Sequence, residues 1–207
     1  MIFIEKTTPS SITAFHDILS NDLLSVQEKW SFEFKTFRTT VKNVPTNDSK
    51  LMHSITFTHR DNRTVTIKNK SAIITTSGSN VPEQLTSNGC STNAPEPFDN
   101  LLQTKLSNLW TQRQSIKGEF GSTYRTTELV VRATNVFSYG GFKGLLLELE
   151  CVDDVSLEEF EQRVDHIRAF LKEISIVDMK ISMQRMAPTK PNFLCDLAYQ
   201  YVKALEL

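Results

Sequence analysis

The chain has few cysteines, and they are not arranged as a disulfide framework. Its 207 residues include only three, at Cys90, Cys151 and Cys195, and none belongs to a C-x-x-C pair. An odd number of widely spaced cysteines favours free thiols in a reducing compartment over a secreted, disulfide-linked fold. A chain of this length also needs no crosslinks, because a domain of its size buries roughly 70% of its unfolded surface.

Long apolar runs and an excess of either charge are also missing. No stretch approaches the roughly 20 apolar residues of a membrane-spanning helix, and the four residues before Glu5 are too few for the core of a secretory signal. The formal net charge is −1, so no surplus of Lys and Arg is available to neutralise a run of phosphates. The sequence therefore predicts a soluble intracellular protein and disfavours direct nucleic-acid binding.

The sequence contains none of the short motifs typical of nucleotide-binding or hydrolytic enzymes, such as the P-loop, G-x-G-x-x-G, H-E-x-x-H or G-x-S-x-G. His53 and His59 have no third ligand at a metal-binding spacing. Cys195 has no histidine at a diagnostic spacing, which favours a packed thiol over a nucleophile. We therefore predict no metal centre, no cofactor and no catalytic residue.

Glu148 and Glu150 are the strongest candidates for chemistry that remain. They alternate along a predicted strand, so their side chains share one face about 6.6 Å apart, the arrangement that barrel-type triphosphatases use to hold a divalent metal. Such an enzyme also needs a second acidic pair, which Glu5-Lys6 near the start does not provide, and a basic lining for phosphates. A metal-dependent tunnel-type triphosphatase is the alternative function, and carboxylates exposed on an outward sheet face explain the pair equally well.

Period-2 alternation predicts most of the first half to be strand. A short strand at 2–5 and a helix at 9–20 precede the alternating Trp30, Phe32 and Phe34, and Phe37 then breaks the parity, which predicts a bulge or bend. Residues 51–76 contain three alternating runs that predict an antiparallel meander. Residues 77–97 are rich in turn formers and lack periodicity, which predicts a mobile insert or an extended arm.

The second half predicts helices and strands with clearer boundaries. A helix at about 98–110 leads into a strand, and two apolar runs then flank SYGG, whose glycine pair predicts a hairpin turn. Ser156 and Glu159 form a capping box at the start of a long amphipathic helix. A last strand at 177–183 precedes a terminal amphipathic helix with Leu197, Tyr201 and Leu205 on its apolar half.

About eight antiparallel strands with about four amphipathic helices predict an α+β fold. The surplus of strands over covering helices favours a closed or nearly closed β-barrel, because closure removes exposed sheet edges. We expect residues 1–207 to form a single domain. The terminal helix is expected to seal the outer sheet or a partner.

Four segments in sequence order resemble the fungal Mediator subunit 20 family: SKLMHSITF at 49–57, KLSNLWTQRQSIKG at 105–118, GFKGLLLELE at 141–150 and CDLAYQYVKALEL at 195–207. The resemblance implies a non-enzymatic nuclear subunit of the Mediator head module, folded as a β-barrel with flanking helices. It implies direct pairing with Mediator subunit 18, which in turn holds a helix of subunit 8. It also implies a scaffold that helps couple transcription activators to RNA polymerase II and the initiation machinery.

We predict three partner-facing residues within that scaffold. They are Trp110 near the junction between helix and strand, and Phe142 and Lys143 at the hairpin tip. A triphosphatase and a stand-alone nucleic-acid adaptor remain as other readings of the sequence.

Overall fold

The computed structural model describes residues 1–76 and 98–206, so the predicted insert at 77–97 lies outside the described residues. The described helices are α1 (Ser11–Leu19), α2 (Phe98–Thr104), α3 (Leu157–Glu173) and α4 (Phe193–Leu205). The described strands are β1 (Ile2–Ile4), β2 (Leu23–Thr39), β3 (Leu51–Phe57), β4 (Arg63–Lys68), β5 (Ser71–Thr76), β6 (Trp110–Thr126), β7 (Leu129–Ser138), β8 (Gly141–Cys151) and β9 (Lys180–Ile181). None of these helices combines the length and apolar character needed to cross a bilayer.

The nine described strands form one antiparallel sheet in the order β5-β4-β3-β2-β6-β7-β8-β1-β9. This confirms the α+β class, the meander and the central hairpin. The sheet is not closed within the described residues, because β5 and β9 stand at its two ends, so the predicted barrel closure is not confirmed.

The last strand is much shorter than its sequence pattern predicts. Only Lys180 and Ile181 belong to β9, where they pair with Phe3 and Ile2 of β1. Met179 and Met183 instead pack against the core without strand pairing. Alternating apolar residues therefore reflect core contacts here, and two paired residues are too few to extend a hydrogen-bond ladder to a further strand.

The described residues form two compact units. The first comprises Met1–Ser31, Lys117–Met183 and residues 203–206; the second comprises the described part of Phe32–Ile116 and Gln184–Val202. Both β2 and β6 pass from one unit to the other. That residues 1–207 act as a single domain stays a prediction.

The core of the first unit lies between its strands and the helices α1 and α3. Ile2 and Ile4 of β1 are fully buried there. A Cβ on Gly144 of β8 would lie 2.2 Å from the backbone oxygen of Ile4, so only glycine allows β1 to approach this closely. At the start of α3, the Glu159 N–H donates to Ser156 Oγ at 3.2 Å and the Ser156 N–H donates to Glu159 Oε2 at 3.0 Å, which confirms the capping box.

The core of the second unit is built on the aromatic face of β2. Tyr201 of α4 is fully buried, with its ring edge-on to Phe32 at 4.9 Å and to Phe57 at 5.3 Å between centroids. Leu197 of the same helix is also buried, as is Leu205, which belongs to the part of the helix that is assigned to the first unit. The apolar half of α4 therefore packs within the chain, which is one of the two placements that the sequence leaves open.

Phe37 does not mark a bulge between β2 and β3, which was predicted from its change of parity. The pairing of β2 with β3 runs without a shift from Phe32 opposite Phe57 to Arg38 opposite Leu51. Phe37 is instead buried against Met52 and Leu102, the latter on α2. The alternation of buried residues along β2 changes at Phe37 because the face of the strand that carries Phe37 is also covered at this end.

Candidate protein-interaction surface

The β7–β8 hairpin ends in a two-residue turn. Ser138 pairs with Gly141, which leaves Tyr139 and Gly140 as the loop, and a register shift follows between Val136 and Phe137. Gly141 has a φ of 95°, a conformation that side-chain-bearing residues rarely adopt. The glycine pair therefore makes a turn, as the sequence predicts, and it directs the tip residues outward.

Aromatic rings and one cation gather at this tip. Phe137 is 43% exposed and meets Phe142 edge-on with ring centroids 5.7 Å apart, while Tyr139 is 87% exposed. Phe142 and Lys143 are each half-buried. We call these four residues, Phe137, Tyr139, Phe142 and Lys143, the hairpin-tip cluster.

Sequence reasoning selected two members of this cluster and missed the other two. Phe142 and Lys143 follow the glycine pair, whereas Phe137 and Tyr139 precede it in the run NVFSY. Two aromatic residues two positions apart beside a predicted turn were the available signal, because a strand end at a turn has little neighbouring structure to bury them.

Trp110 lies in the second unit, at the first position of β6. It is half-buried and packs against the cluster of Phe37, Met52 and Leu102, and Lys68 Nζ lies 5.7 Å from its ring centroid. Phe142 and Lys143 lie in the first unit, so the three predicted residues do not form one site within either unit. Trp110 has a structural role that its position in the sequence did not reveal.

Phe120 is an exposed aromatic residue that sequence reasoning missed. It is 80% exposed on β6 and has a φ of 57°, a left-handed conformation that costs roughly 1–2 kcal/mol for a residue with a side chain. The next residue, Gly121, passes so close to Trp30 that a Cβ there would lie 2.5 Å from the indole Nε1. Strain of this kind at an exposed bulky residue is a reason to look for a function at that position.

The acidic pair proves to be part of a buried ion cluster. Glu148 and Glu150 do share a face of β8, as predicted, but Glu148 is only 1% exposed, so it is not an outward surface carboxylate. Arg132 of β7 lies opposite Glu148, and its Nη1 donates to Glu148 Oε1 at 2.9 Å and to Glu150 Oε2 at 2.7 Å. One guanidinium therefore occupies the position between the carboxylates that a shared metal ion would need.

The remaining side chains do not favour metal or thiol chemistry. In residues 1–76 and 98–206, no group of three or more His, Cys, Asp and Glu side chains is placed to hold a metal ion. Burial raises the pKa of the Cys195 thiol, and the nearby Asp196 carboxylate raises it further. Burial also raises the pKa of Cys151, so both thiols are held in the less reactive protonated form.

Comparison with known proteins places the chain in a family. The family model described as "TATA-binding related factor (TRF) of subunit 20 of Mediator complex" matches residues 1–206. The chain belongs to the Mediator subunit 20 family. It is therefore a subunit of the Mediator complex, a structural coregulator of transcription and not an enzyme.

Yeast relatives in this family are similar along their whole length. Mediator of RNA polymerase II transcription subunit 20 of Eremothecium gossypii is 63% identical over 206 residues, which cover 100% of this chain and 98% of the relative. The subunit of the same name in Saccharomyces cerevisiae is 48% identical over 208 residues, which cover 100% and 98%. A chain in the solved structure of the Schizosaccharomyces pombe Mediator head module is similar at a TM-score of 0.45 and 11% identity, over 86% of this chain and 96% of that one.

Proposed function

We propose that this member of the subunit 20 family is a scaffold of the Mediator head module that pairs directly with Mediator subunit 18. Subunit 8 joins through subunit 18, and the assembly helps couple transcription activators to RNA polymerase II and the initiation machinery in the nucleus. The observation that carries the proposal is the family match over residues 1–206, together with relatives whose names place them in RNA polymerase II transcription.

The hairpin-tip cluster is the proposed contact with subunit 18. Aromatic residues are enriched at protein interfaces because they cover a large area at little cost in side-chain entropy. Tyr139 and Phe137 supply such area at the tip, and Lys143 adds a cation at its border. Trp110 is proposed as a second contact, through the part of its ring that the core of the second unit leaves exposed.

Coexpression tests the pairing. The chain is produced together with subunits 18 and 8 from the same organism, and the mixture is separated by size-exclusion chromatography. We expect a stoichiometric heteromer of the three chains. Elution of this chain by itself, apart from a subunit 18–subunit 8 complex, would contradict the proposal.

Interface variants test the contact residues separately from the pairing. We expect Phe142→Ala with Lys143→Ala to weaken binding to subunit 18 by at least about tenfold, which corresponds to ~1.4 kcal/mol. The matched control is Leu157→Ala with Lys172→Ala on α3, which also removes one apolar and one charged side chain and should leave the affinity unchanged. Trp110→Phe tests the second contact while keeping an aromatic ring in its core cluster.

Two measurements interpret the variants. Thermal melting shows whether each variant is folded, and isothermal titration gives its affinity for subunit 18. If a folded tip variant binds subunit 18 with unchanged affinity, the interface lies elsewhere on the chain, and the proposed pairing itself is not contradicted. A fluorescent fusion that stays outside the nucleus would count against the proposed site of action.

A further inference from the structure

Strand β2 is only partly paired on one of its two edges. It spans Leu23–Thr39, but its pairing with β3 covers only the second half and begins at Phe32 opposite Phe57. Its other neighbour in the sheet is β6, where Lys29 Nζ donates to Ser122 Oγ at 2.8 Å. Within the described part of the chain, no strand continues the β3 side of the ladder along residues 23–29, and we call this segment the open edge.

The open edge is exposed on both faces as well as along its side. Residues 24–29 are all exposed, and Leu24 and Val26 are 64% and 56% exposed. These two share the parity of Trp30, which is buried, so the apolar row of the strand continues beyond the point where the protein covers it. The described residues leave this segment exposed, so its burial requires contact with a polypeptide segment that is not among them.

The first five residues of this edge lack the usual protections against strand addition, and Glu28 and Lys29 place its charges at the other end. Proteins blunt exposed edges with proline, bulges, inward charges or very short strands. Residues 23–27 read LLSVQ, without proline, glycine or charge. By contrast, β9 at one end of the sheet contains only Lys180 and Ile181, and on β5 at the other end Thr75 Oγ1 accepts a hydrogen bond from the Phe98 N–H at 3.3 Å.

We propose that the open edge of β2 binds an extended segment of another polypeptide as one more antiparallel strand. A row of backbone N–H and C=O groups is complementary to an extended backbone and not to a helix, whose backbone groups are already paired. The side chains then set the sequence of the bound segment: apolar residues opposite Leu24 and Val26, and a basic residue opposite Glu28. Apolar surface continues past the strand start, where Leu23 and Leu24 line a groove with Ile167 and Phe170.

A second copy of this chain does not fit the edge well. Two copies of an edge pair antiparallel around a twofold axis normal to the sheet, so opposite residues have the same parity. In registers centred on residues 25 to 28, Glu28 then faces Asp22, Leu24, Val26 or the other Glu28. Each of these puts a carboxylate against an apolar side chain or against another carboxylate, which disfavours the pair.

A short peptide serves as the probe. The acetylated and amidated peptide Thr-Lys-Thr-Val-Thr-Val-Thr, added to the full chain, places its Lys opposite Glu28 and its Val residues opposite Val26 and Leu24. Backbone amide exchange is followed by NMR with and without the peptide. We expect slower exchange at alternate amides of residues 23–29, those that point to the open edge, and little change at the intervening amides that point to β6.

Variants of the chain test whether the slower amide exchange results from peptide binding at the open edge. Val26→Lys places a charge on the apolar row and should weaken peptide binding at least tenfold. Val177→Lys is the matched control, because Val177 is 73% exposed elsewhere in the same unit, and it should bind the peptide like the unmodified chain. Both variants should melt at the temperature of the unmodified chain, because neither side chain is part of a core.

Four results would overturn the inference. The first is that the peptide does not protect the edge amides, and the second is that a peptide of the same composition with its two Val residues adjacent protects them equally. The third is that Val26→Lys binds the peptide as the unmodified chain does. The fourth is that protection rises with protein concentration without peptide while sedimentation velocity shows dimers. The last result would make a second copy the occupant. The test needs no other Mediator subunit, so its outcome is independent of the proposed pairing with subunit 18.

Discussion

Arg132 shows how one residue decides between two readings of the acidic pair. A carboxylate as buried as Glu148 is stable in its charged form only when a cation and hydrogen bonds replace its lost hydration. Arg132 supplies both through a nitrogen that lies within 2.9 Å of Glu148 and 2.7 Å of Glu150. The pair is thereby held in an ion cluster on the face of β8 opposite to Leu147 and Leu149, which belong to the core of the first unit.

Arg132→Met should lower the free energy of unfolding by about 3–5 kcal/mol, because it removes the guanidinium that binds the buried Glu148 carboxylate. Urea denaturation measures the change. The double variant Arg132→Met with Glu148→Met should recover most of the loss, since it removes both charges together.

The control for this pair is Arg168→Met, which breaks an ion pair with Asp165 whose side chains are 40% and 65% exposed. It should change the stability by no more than about 1 kcal/mol. A loss in Arg132→Met no larger than in this control would mean that the buried cluster contributes little.

At the scale of the element, α4 is positioned by its contact with the aromatic face of β2. The helix is amphipathic, and its apolar half places Tyr201 between Phe32 and Phe57. Edge-on ring pairs of this kind add to the stabilisation from buried area. The apolar half of the terminal helix is therefore occupied by contacts within the chain, and the candidate partner surfaces lie outside this helix.

Tyr201→Ala should lower the free energy of unfolding by about 3–5 kcal/mol, because it removes a fully buried ring and leaves a cavity. Chemical denaturation followed by far-UV circular dichroism measures the effect. Tyr139→Ala is the matched control, since the same substitution at a side chain that is 87% exposed should cost no more than about 0.5 kcal/mol. A stable Tyr201→Ala variant that no longer binds subunit 18 would instead make α4 an interface helix.

The capping box of α3 predicts a pH dependence. The backbone N–H of Ser156, and then its hydroxyl, hold the pKa of Glu159 below its ordinary value of 4.5. The unfolded chain therefore binds this proton at a higher pH than the folded chain does. The contribution of Glu159 to stability is complete above pH 4.5 and is lost as the pH falls through the lowered pKa of the folded state.

Glu159→Gln isolates that contribution, because glutamine can still accept the capping hydrogen bond but does not titrate. We expect the unmodified chain to melt higher than the variant at pH 7 and the difference to shrink at pH 3. Thermal melts of both proteins at the two pH values measure it. An equal difference at both values would show that the ionised carboxylate adds nothing to the cap.

At the scale of the whole molecule, the described residues offer exposed apolar surfaces that suit contacts with partners. Among the described residues, the exposed aromatic and aliphatic side chains include those of the hairpin tip, Phe120 and the open edge. Membership of the Mediator subunit 20 family agrees with this distribution, since a subunit of a large complex functions through its contacts.

Purified chain incubated with manganese and a nucleoside triphosphate should release no phosphate above the blank. The reason is that Arg132 already holds Glu148 and Glu150, which a catalytic metal would need. A colorimetric phosphate assay, with an authentic tunnel triphosphatase as positive control, measures the release. Phosphate release that disappears in Glu148→Ala with Glu150→Ala would reinstate the enzymatic alternative.

Much of the fold was predictable where neighbouring residues decide the structure. The capping box at Ser156, the glycine turn before Phe142 and the meander from Leu51 to Thr76 all depend on residues a few positions apart. Predictions failed where distant segments decide the outcome. The parity change at Phe37 predicts a bulge or bend, whereas contact with Leu102 of α2 is what buries this residue, and core contacts of Met179 and Met183 imitate the alternation of a longer β9.

The candidate site was predictable only in part, for the same reason. Phe142 and Lys143 were selected from their place beside a turn, whereas the exposure of Phe137 depends on how far β7 extends beyond its covering layer. Trp110 is predicted to face a partner from its place near the junction between helix and strand, and the structure packs it against residues brought together from β2, β3 and α2.

The sequence by itself determined the types of the elements, their caps and turns, and the family, because periodicity, local hydrogen bonding and ordered sequence segments can all be read along the chain. The tertiary structure alone decided which side chains meet across long separations. It paired Arg132 with Glu148, placed Tyr201 against Phe32 and Phe57, and, among the described residues, put no strand beside residues 23–29 on the β3 side. These outcomes depend on the register and length of strands that pair across the sheet, and no local preference of the chain specifies them.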